Sequence, residues 1–313
     1  MSLPVATAVA ALALVGTHWV EAARESPPPP ARPEWLPEGE HGYLLVDGLR
    51  LRYLRAGQGR PVLLLHTLRT QLELFREVVP SLAREFEVHA IDLPGHGHSS
   101  IPPGAYDPER FVRAVRAYLQ ARALENVVVA GESIGGAIGL TLAAEQQPQV
   151  ARVVAINSYD YARGRGIHRG SALAAVLFNL ARVPLLGPAV WRLRWQGLFA
   201  RVMRGSVHDP QHLPADLVQA LHEVGNRPGH YRAFLSLIRD FPAWEALREA
   251  YPRIRLPVTL VYGEHDWSRE AERRACQGLI PDARLETVTA AGHLMSLERP
   301  EAVIEHVRTA GRS

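Results

Sequence analysis

The sequence contains no lysine, so arginine alone supplies its 35 basic residues, against 32 acidic ones. Chemistry that depends on lysine, such as a Schiff base or a P-loop phosphate site, is therefore excluded. Cysteine is almost absent: Cys276 is the single one, and it cannot form a disulfide within the chain. The formal net charge of +3 is too small to indicate a nucleic-acid-binding protein.

Hydrophobic residues make up 47% of the 313 positions, which is enough for one large α/β domain that carries an insertion. After an opening hairpin at 43–55, short apolar runs alternate with helix-like stretches. The strands predicted from these runs lie near residues 62–66, 87–92, 126–131, 152–157, 257–262 and 285–289. Such alternation predicts an α/β fold, in which a mostly parallel eight-stranded sheet is flanked by helices.

Residues 1–40 form a separate N-terminal segment. Leu3 to Val20 is almost wholly apolar, and as a helix this stretch would rise about 27 Å, close to the thickness of a bilayer core. A secretory signal has basic residues before its apolar stretch, but no arginine precedes this one. Pro27 to Pro30, which follow it, form a stiff spacer. We predict a transmembrane anchor or an uncleaved signal, which would leave the protein membrane-anchored or exported. A cleaved signal and a disordered or surface-packed start are the alternatives.

The pentapeptide at 131–135, Gly-Glu-Ser-Ile-Gly, follows the apolar run at 127–130 and precedes a helix-like stretch. In this context a G-x-S-x-G pattern predicts a nucleophile elbow, with Ser133 exposed at a strained turn between strand and helix. Glycine on either side of the serine lets strand and helix approach closely. Backbone N–H groups at the start of the helix could hold a developing oxyanion.

A serine nucleophile needs a base and an acid that orients it, and both follow predicted strands. Asp266 comes just after the strand at 257–262, and His293 follows the strand at 285–289. The carboxyl ends of parallel strands meet at one edge of the sheet, which is also where Ser133 is expected. We therefore predict a triad of Ser133, His293 and Asp266. Asp160, after the sixth strand, stays open as an alternative acid.

From about Gly42 to the C-terminus the chain resembles the α/β-hydrolase superfamily. The resemblance rests on the order Ser, Asp, His and on segments 62–66, 90–99 and 292–300, which look like the family's third strand, its D-x-x-G-x-G-x-S turn and its histidine loop. It implies a core at 41–157 and 256–313 and a helical cap, inserted after the sixth strand, at 158–255. No cofactor is implied, and no metal site is predicted.

The same resemblance implies that the N–H groups of Ile134 and Leu68 form the oxyanion hole. The family commonly has His-Gly after its third strand, whereas Thr67 follows His66 here. A β-branched residue disfavours positive φ, so Thr67 could restrict the loop that carries Leu68. Arg69 is a candidate for binding a substrate carboxylate, with a surface or structural role as the alternative.

The predicted cap is rich in arginine. Between Tyr161 and Val207 there are eight arginines and no acidic residue, interleaved with aromatic and aliphatic residues that include Trp191 and Trp195. This pattern suits a membrane surface or an amphiphilic, anionic substrate, whereas the alternative is that the apolar residues form the cap's own core. Trp191, Trp195 and Trp267 are candidate substrate-binding residues.

These observations predict a serine hydrolase that cleaves a small-molecule carboxylic ester with an apolar or lipid-like acyl group. Thioesterase, acyltransferase, lactonase and carbon–carbon bond hydrolase activities would use the same triad and stay open. A ligand-binding homologue without turnover is the alternative outside enzymes. By the family resemblance, epoxide hydrolysis and dehalogenation use a carboxylate nucleophile where Ser133 stands, which disfavours both.

Overall fold

A central sheet positions the residues singled out above. The structure, a computed structural model, describes residues 14–28 and 30–312, and these residues form an eight-stranded sheet of order β1-β2-β4-β3-β5-β6-β7-β8. The hairpin β1–β2 is antiparallel and joins β4 antiparallel, whereas all later neighbours pair in parallel. The strands are β1 Gly39–Val46, β2 Leu49–Ala56, β3 Pro61–Leu65, β4 Glu87–Ile91, β5 Val127–Glu132, β6 Val150–Ile156, β7 Val258–Gly263 and β8 Arg284–Val288.

Helices cover both faces of this sheet and fill the long connection between β6 and β7. In chain order they are α1 Val79–Leu82, α2 Pro108–Ala121, α3 Ile134–Ala144, α4 Ala172–Leu180, α5 Leu186–Leu193, α6 Gln196–Arg204, α7 Ala215–Gly225, α8 His230–Arg239, α9 Phe241–Ala246, α10 Glu270–Leu279, α11 Met295–Glu298 and α12 Pro300–Arg312. Short 3-10 helices lie at Leu72–Phe75, Ala162–Gly164, Gly166–Arg169, Pro210–His212 and Leu247–Arg253. The predicted α/β fold, with a helical cap after the sixth strand, is confirmed.

The central strands are apolar on both sides because both of their faces are covered. Along β3, Leu63 and Leu65 belong to one hydrophobic cluster, while Val62 and Leu64 belong to the cluster on the opposite face. Successive side chains of a strand point to opposite faces, so a strand buried on both sides is apolar at every position. The candidate site lies at the carboxyl ends of these strands.

One expected helix is broken. The sequence suggests a single helix over 72–85, whereas the structure has a 3-10 turn at Leu72–Phe75 followed by the four-residue α1. Pro80 lies in the first turn of α1, where its missing N–H costs nothing. A continuous helix through this position would lose a hydrogen bond and would push the proline ring into the preceding turn.

The prediction of a transmembrane helix at residues 3–20 is wrong. Residues 3–13 lie outside the described part of the chain, and among the residues that the structure describes no helix is both long and apolar enough to cross a membrane. The membrane association predicted for this segment and the cap has no support either. Residues 14–22 are helical, and their polar side chains contact the cap. Thr17 Oγ1 accepts a hydrogen bond from Arg192 Nη1 at 3.2 Å, and Glu21 Oε1 accepts one from the Gly229 N–H at 2.9 Å.

Candidate active site

Ser133 occupies the sharp turn between β5 and α3. Its backbone angles, φ 59° and ψ −114°, are strained for a residue with a side chain. A Cβ at Gly131 would lie 2.1 Å from the Gly135 carbonyl oxygen, and one at Gly135 would lie 2.2 Å from that of Leu65. Only glycine therefore fits on either side of the serine, because strand, turn and helix approach so closely.

His293 lies in the loop after β8, and its ring reaches the serine. The Ser133 Oγ and the His293 Nε2 are 2.9 Å apart, within hydrogen-bond distance. Trp267 stacks on the imidazole, with the ring centroids 3.7 Å apart and the planes inclined by 12°. The indole N–H of Trp267 donates to the Gly205 carbonyl at 2.9 Å, which fixes the ring that supports the histidine.

Asp266 follows β7 and completes the chain of contacts. Its Oδ1 lies 2.5 Å from His293 Nδ1, and its Oδ2 accepts hydrogen bonds from the Ser268 N–H at 2.8 Å and hydroxyl at 2.5 Å. Burial by itself raises the pKa of Asp266, but the attraction of His293 and the hydrogen bonds from His293 and Ser268 outweigh it and hold the pKa below its usual value. A charged Asp266 favours the tautomer with Nδ1 protonated, which leaves Nε2 free to accept the serine proton.

Asp160, the alternative acid, lies in a different network. Its Oδ1 pairs with Arg248 Nη2 at 2.9 Å, and its Oδ2 accepts from the Tyr251 hydroxyl at 2.7 Å and from the Ser158 hydroxyl at 3.0 Å. All of these groups lie in the segment between β6 and β7. The carboxylate that contacts His293 is that of Asp266.

Two side chains that the sequence analysis did not single out hold the histidine loop. The Asn157 amide, at the end of β6, donates to the carbonyls of Gly292 and His293, both at 3.0 Å, and its oxygen accepts from the Gly263 N–H at 2.8 Å. Glu298 accepts from the Gly292 N–H at 2.6 Å. Asn157 has φ 47°, a conformation in which asparagine is enriched. An asparagine directly after a buried strand is the feature of the sequence that could have indicated this role.

The predicted oxyanion donors flank the serine. Ile134 is the first residue of α3, so its N–H is one of the four that have no acceptor within the helix. Leu68 lies with Ser133 on the wall of one cavity. The positive φ of this loop falls on Arg69, at 62°, and not on Thr67, so the restriction expected from the β-branched side chain does not arise.

Glu132, next to Ser133 in the chain, is fully buried and differs from Asp266 in its protonation. Its carboxylate accepts from the Ser296 hydroxyl and from the Ser296 N–H at 3.2 Å, while its other oxygen is buried without a partner among the described residues. Burial raises the pKa of Glu132 to about 8. Two buried carboxyl groups near Ser133 therefore differ at neutral pH: that of Asp266 is charged, and that of Glu132 is largely neutral.

A cavity opens above Ser133, between the sheet edge and the cap. Its lower wall includes Ser133, His293, Leu68 and Trp267, and its upper wall comes from cap helices. The cap residues that line it are mainly apolar: Leu177, Phe178, Val190, Trp191, Trp195, Leu198, Phe199, Val202, Met203 and Phe234. Two other apolar residues of the cap, Leu185 and Leu186, are exposed to solvent.

All the predicted substrate-binding residues lie on this cavity: Arg69, Trp191, Trp195 and Trp267. Tyr159 and Phe234 also line it but were not predicted. Tyr159 contacts the His293 ring edge to face at 5.9 Å, and Phe234 packs on Trp191 at 4.5 Å. Nothing in the sequence distinguishes these two aromatic residues from ordinary core residues, because their role depends on how the cap closes over the sheet.

The comparisons with known proteins agree with the fold. A sequence model for the family described as alpha/beta hydrolase fold matches residues 60–300. The hydrolase YugF of Bacillus subtilis is 24% identical over 267 residues, which cover 84% of this chain and 94% of YugF. The 2-hydroxy-6-oxo-6-(2'-aminophenyl)hexa-2,4-dienoic acid hydrolase of Metapseudomonas resinovorans is 31% identical over 151 residues, or 42% of this chain and 52% of that protein.

A solved structure shares the whole architecture. The crystal structure of Cfl2 from Burkholderia cenocepacia superimposes with a TM-score of 0.79, at 22% identity, over 89% of this chain and 97% of that one. At this identity the likeness shows a common fold and leaves the substrate open.

Proposed function

The chain belongs to the α/β-hydrolase fold family, and from this premise we propose that it is a serine hydrolase that cleaves carboxylic esters with an apolar acyl group. The observation that carries the proposal is the continuous set of contacts from Ser133 Oγ through the His293 ring to Asp266 Oδ1. A nucleophile within reach of a base that is oriented by a buried acid is the arrangement that activates a serine hydroxyl.

The first half of the reaction forms an acyl-enzyme. Ser133 Oγ attacks the ester carbonyl carbon while His293 Nε2 takes the hydroxyl proton. The carbonyl oxygen becomes an oxyanion, which the N–H groups of Ile134 and Leu68 stabilise. His293 then gives its proton to the alcohol oxygen, and the alcohol leaves. Asp266 stays charged throughout and stabilises the imidazolium that forms next to it.

The second half releases the acid. A water molecule gives a proton to His293 Nε2 and attacks the acyl carbonyl, and the same N–H groups hold the second oxyanion. His293 returns the proton to Ser133 Oγ as the acyl–oxygen bond breaks. No redox change occurs in either half, so the chain's own residues are sufficient for each step.

The walls of the cavity support an apolar acyl group. The cap contributes aromatic and aliphatic side chains to its wall and only one arginine, Arg194. Burying a hydrocarbon chain against such a wall gains about 25 cal/mol for each Å² removed from water. By contrast, a small polar acyl group would leave most of this surface without contacts.

A fluorophosphonate probe tests the proposal, because it reacts with an activated serine. We expect labelling of the wild type and of Ser206→Ala, which removes a second hydroxyl of the same cavity, but not of Ser133→Ala. Ser133→Ala and His293→Ala should each lower kcat for ester hydrolysis by about a thousandfold or more. Absence of labelling in the wild type would favour a ligand-binding role, and near-normal turnover in either triad variant would overturn the mechanism.

Hydrolysis of an oxo acid is the second candidate. The relative from Metapseudomonas resinovorans carries the name of a dienoic acid hydrolase, and it is 31% identical over 151 residues. A direct comparison of kcat/KM for carboxylic esters with that for 2-hydroxy-6-oxo dienoic acids separates the two candidates. A higher value for the dienoic acids would replace the ester proposal while leaving the triad in place.

A further inference from the structure

One charged group in the cavity has no counterion. Arg69 and Arg194 both line the cavity, while no aspartate or glutamate does so in the described part of the chain. Arg194 forms an ion pair with Glu21 of the N-terminal helical segment, which compensates its charge. Arg69 forms no ion pair with any carboxylate in residues 14–28 or 30–312. Burial and the nearby Arg194 lower the pKa of Arg69 to about 9, as expected for a cation without compensation.

The surroundings of Arg69 are shaped to receive a guanidinium group. Its central carbon lies 4.7 Å from the ring centroid of Phe199 and 5.4 Å from that of Phe234, so two aromatic rings of the cap flank it. A Cβ at Gly225, at the end of α7, would lie 2.3 Å from Arg69 Nη1, so the guanidinium packs directly against the backbone of this glycine. The cap therefore holds this side chain in one place.

Only one edge of the guanidinium is used by the protein. Arg69 Nη1 donates to His230 Nδ1 at 3.1 Å and makes a long contact of 3.5 Å with the Gly225 carbonyl. Among the described residues, Nε and Nη2 of Arg69 donate to no acceptor. These two nitrogen atoms of Arg69 are not buried, whereas the unpaired Nε and Nη1 of Arg194 are. The free edge of Arg69 thus remains accessible, and the cavity is the space that this side chain lines.

We propose that Arg69 forms an anion subsite that binds a carboxylate carried by the substrate in addition to its ester group. This inference rests on the function proposed above and names its substrate class: apolar esters with a second, ionised carboxyl group. Two parallel N–H donors on one planar cation match the two oxygens of a carboxylate. A phosphate dianion fits less well, because one unpaired cation would leave half of its charge uncompensated in an apolar cavity.

Matched pairs of esters test the subsite. Half-esters of dicarboxylic acids are compared with neutral esters of equal length, and esters of hydroxy acids form a second series with the carboxylate on the alcohol side. We expect the wild type to prefer the charged member of a pair in one of the two series. In Arg69→Met the ratio of kcat/KM for charged over neutral ester should fall at least about tenfold, as the loss of a charge-assisted hydrogen bond implies. Methionine keeps the Cβ and an unbranched stem as far as the position of Nε, so the positive φ is equally demanding in both proteins.

Two further variants separate specificity from structure. Arg69→Lys keeps the charge but loses the fork and should restore part of the ratio. Arg201→Met removes an exposed arginine of α6 that does not line the cavity, and it should leave the ratio unchanged. Equal losses for charged and neutral esters in Arg69→Met would show a purely structural role, and an absence of charge preference in both wild-type series would overturn the inference.

The failure of this inference can be distinguished from failure of the proposed function. If the fluorophosphonate labels Ser133 but neither series shows a charge preference, only the anion subsite is wrong. If the probe does not label the protein, calorimetric titration with dicarboxylic acids tests the subsite without turnover. Binding by the wild type that is lost in Arg69→Met and retained in Arg201→Met would then support it, and no binding would overturn it.

Discussion

The sheet edge and the cap enclose the same cavity but hold their residues by different means. In the core, Ser133, Asp266 and His293 are each at most 9% exposed, and directional hydrogen bonds fix them. In the cap, exposure on the cavity wall ranges from 2% at Phe178 to 59% at Trp195, and most contacts are between apolar surfaces. Hydrogen bonds specify distance and angle, whereas apolar contact specifies mainly volume. Substitutions in the core should therefore affect turnover, and those in the cap should affect the choice of substrate.

The sharpest test of this comparison replaces each of two buried aspartates by asparagine, because the two contact different groups. Asp266→Asn keeps the shape but allows the wrong histidine tautomer, so kcat should fall by about a thousandfold or more. Asp160→Asn weakens the pair with Arg248 inside the segment between β6 and β7, and should cost about 3 kcal/mol of unfolding free energy with kcat changed less than about tenfold. Ester kinetics and urea denaturation of both variants measure the two effects. A severe loss of kcat in Asp160→Asn alone would reassign the acid.

The next largest effect should come from a residue that touches no substrate. Asn157 connects β6 to the Gly263 N–H and to the carbonyls of the histidine loop. Asn157→Gly removes these bonds without straining the left-handed backbone, and a small displacement of His293 should lower kcat by about a hundredfold. Asn179→Gly, at an exposed position of α4, is the control and should lose stability but not kcat. Unchanged kcat in Asn157→Gly would show that the remaining contacts hold the loop by themselves.

Within the core, Glu132 should behave unlike Asp266. A pKa of about 8 in the folded state means that the native protein keeps a proton that an unfolded carboxyl, with its ordinary pKa of about 4.3, has lost. The unfolding free energy should therefore fall as pH rises between these two values, by up to about 1.4 kcal/mol per pH unit. The lowered pKa of Asp266 has the opposite effect: it stabilises the fold at neutral pH, and this stabilisation is lost as the pH falls into the acid range.

Glu132→Gln removes this titration. Between about pH 6 and about pH 8, the wild type should lose at least about 1 kcal/mol more unfolding free energy than the variant. Urea denaturation at several pH values measures it, and Glu125→Gln, at an exposed carboxyl just before β5, is the control. Parallel stability curves for Glu132→Gln and the wild type would show that Glu132 is charged in the folded protein.

The site residues that could be predicted from the sequence are those whose positions depend on local structure in the core. The elbow around Ser133 and the strand ends before Asp266 and His293 could be predicted, because local sequence imposes a strained turn and a sheet edge. Asn157 and Glu298 could not. The partners of Asn157 lie more than a hundred residues away, and Glu298 accepts from the N–H of His208, 90 residues away, as well as from that of Gly292. Their side chains act through contacts that only the folded chain brings together.

The cap and the N-terminal segment show where sequence patterns mislead. The apolar run from Leu3 to Val20 resembles a membrane anchor, yet Thr17 in its described part and Glu21 directly after it contact the cap. The arginines of the cap look alike in sequence, although Arg194 has a counterion in Glu21 whereas Arg201 is exposed. Hydropathy and charge counts cannot separate these cases, because the separation depends on which groups meet across the fold.

The smallest expected effect lies at the mouth of the cavity. Trp195 lines the cavity but is 59% exposed, so a bound acyl chain can cover only part of its ring. Loss of about 40 Å² of contact in Trp195→Ala would cost about 1 kcal/mol, or about fivefold in kcat/KM for long-chain esters. Short-chain esters that do not reach the mouth should be unaffected. Trp19→Ala, which removes a 74% exposed tryptophan outside the cavity wall, is the control. If Trp195→Ala lowered kcat/KM equally for all chain lengths, the cap would be contributing to reaction geometry, and the division between core and cap would fail.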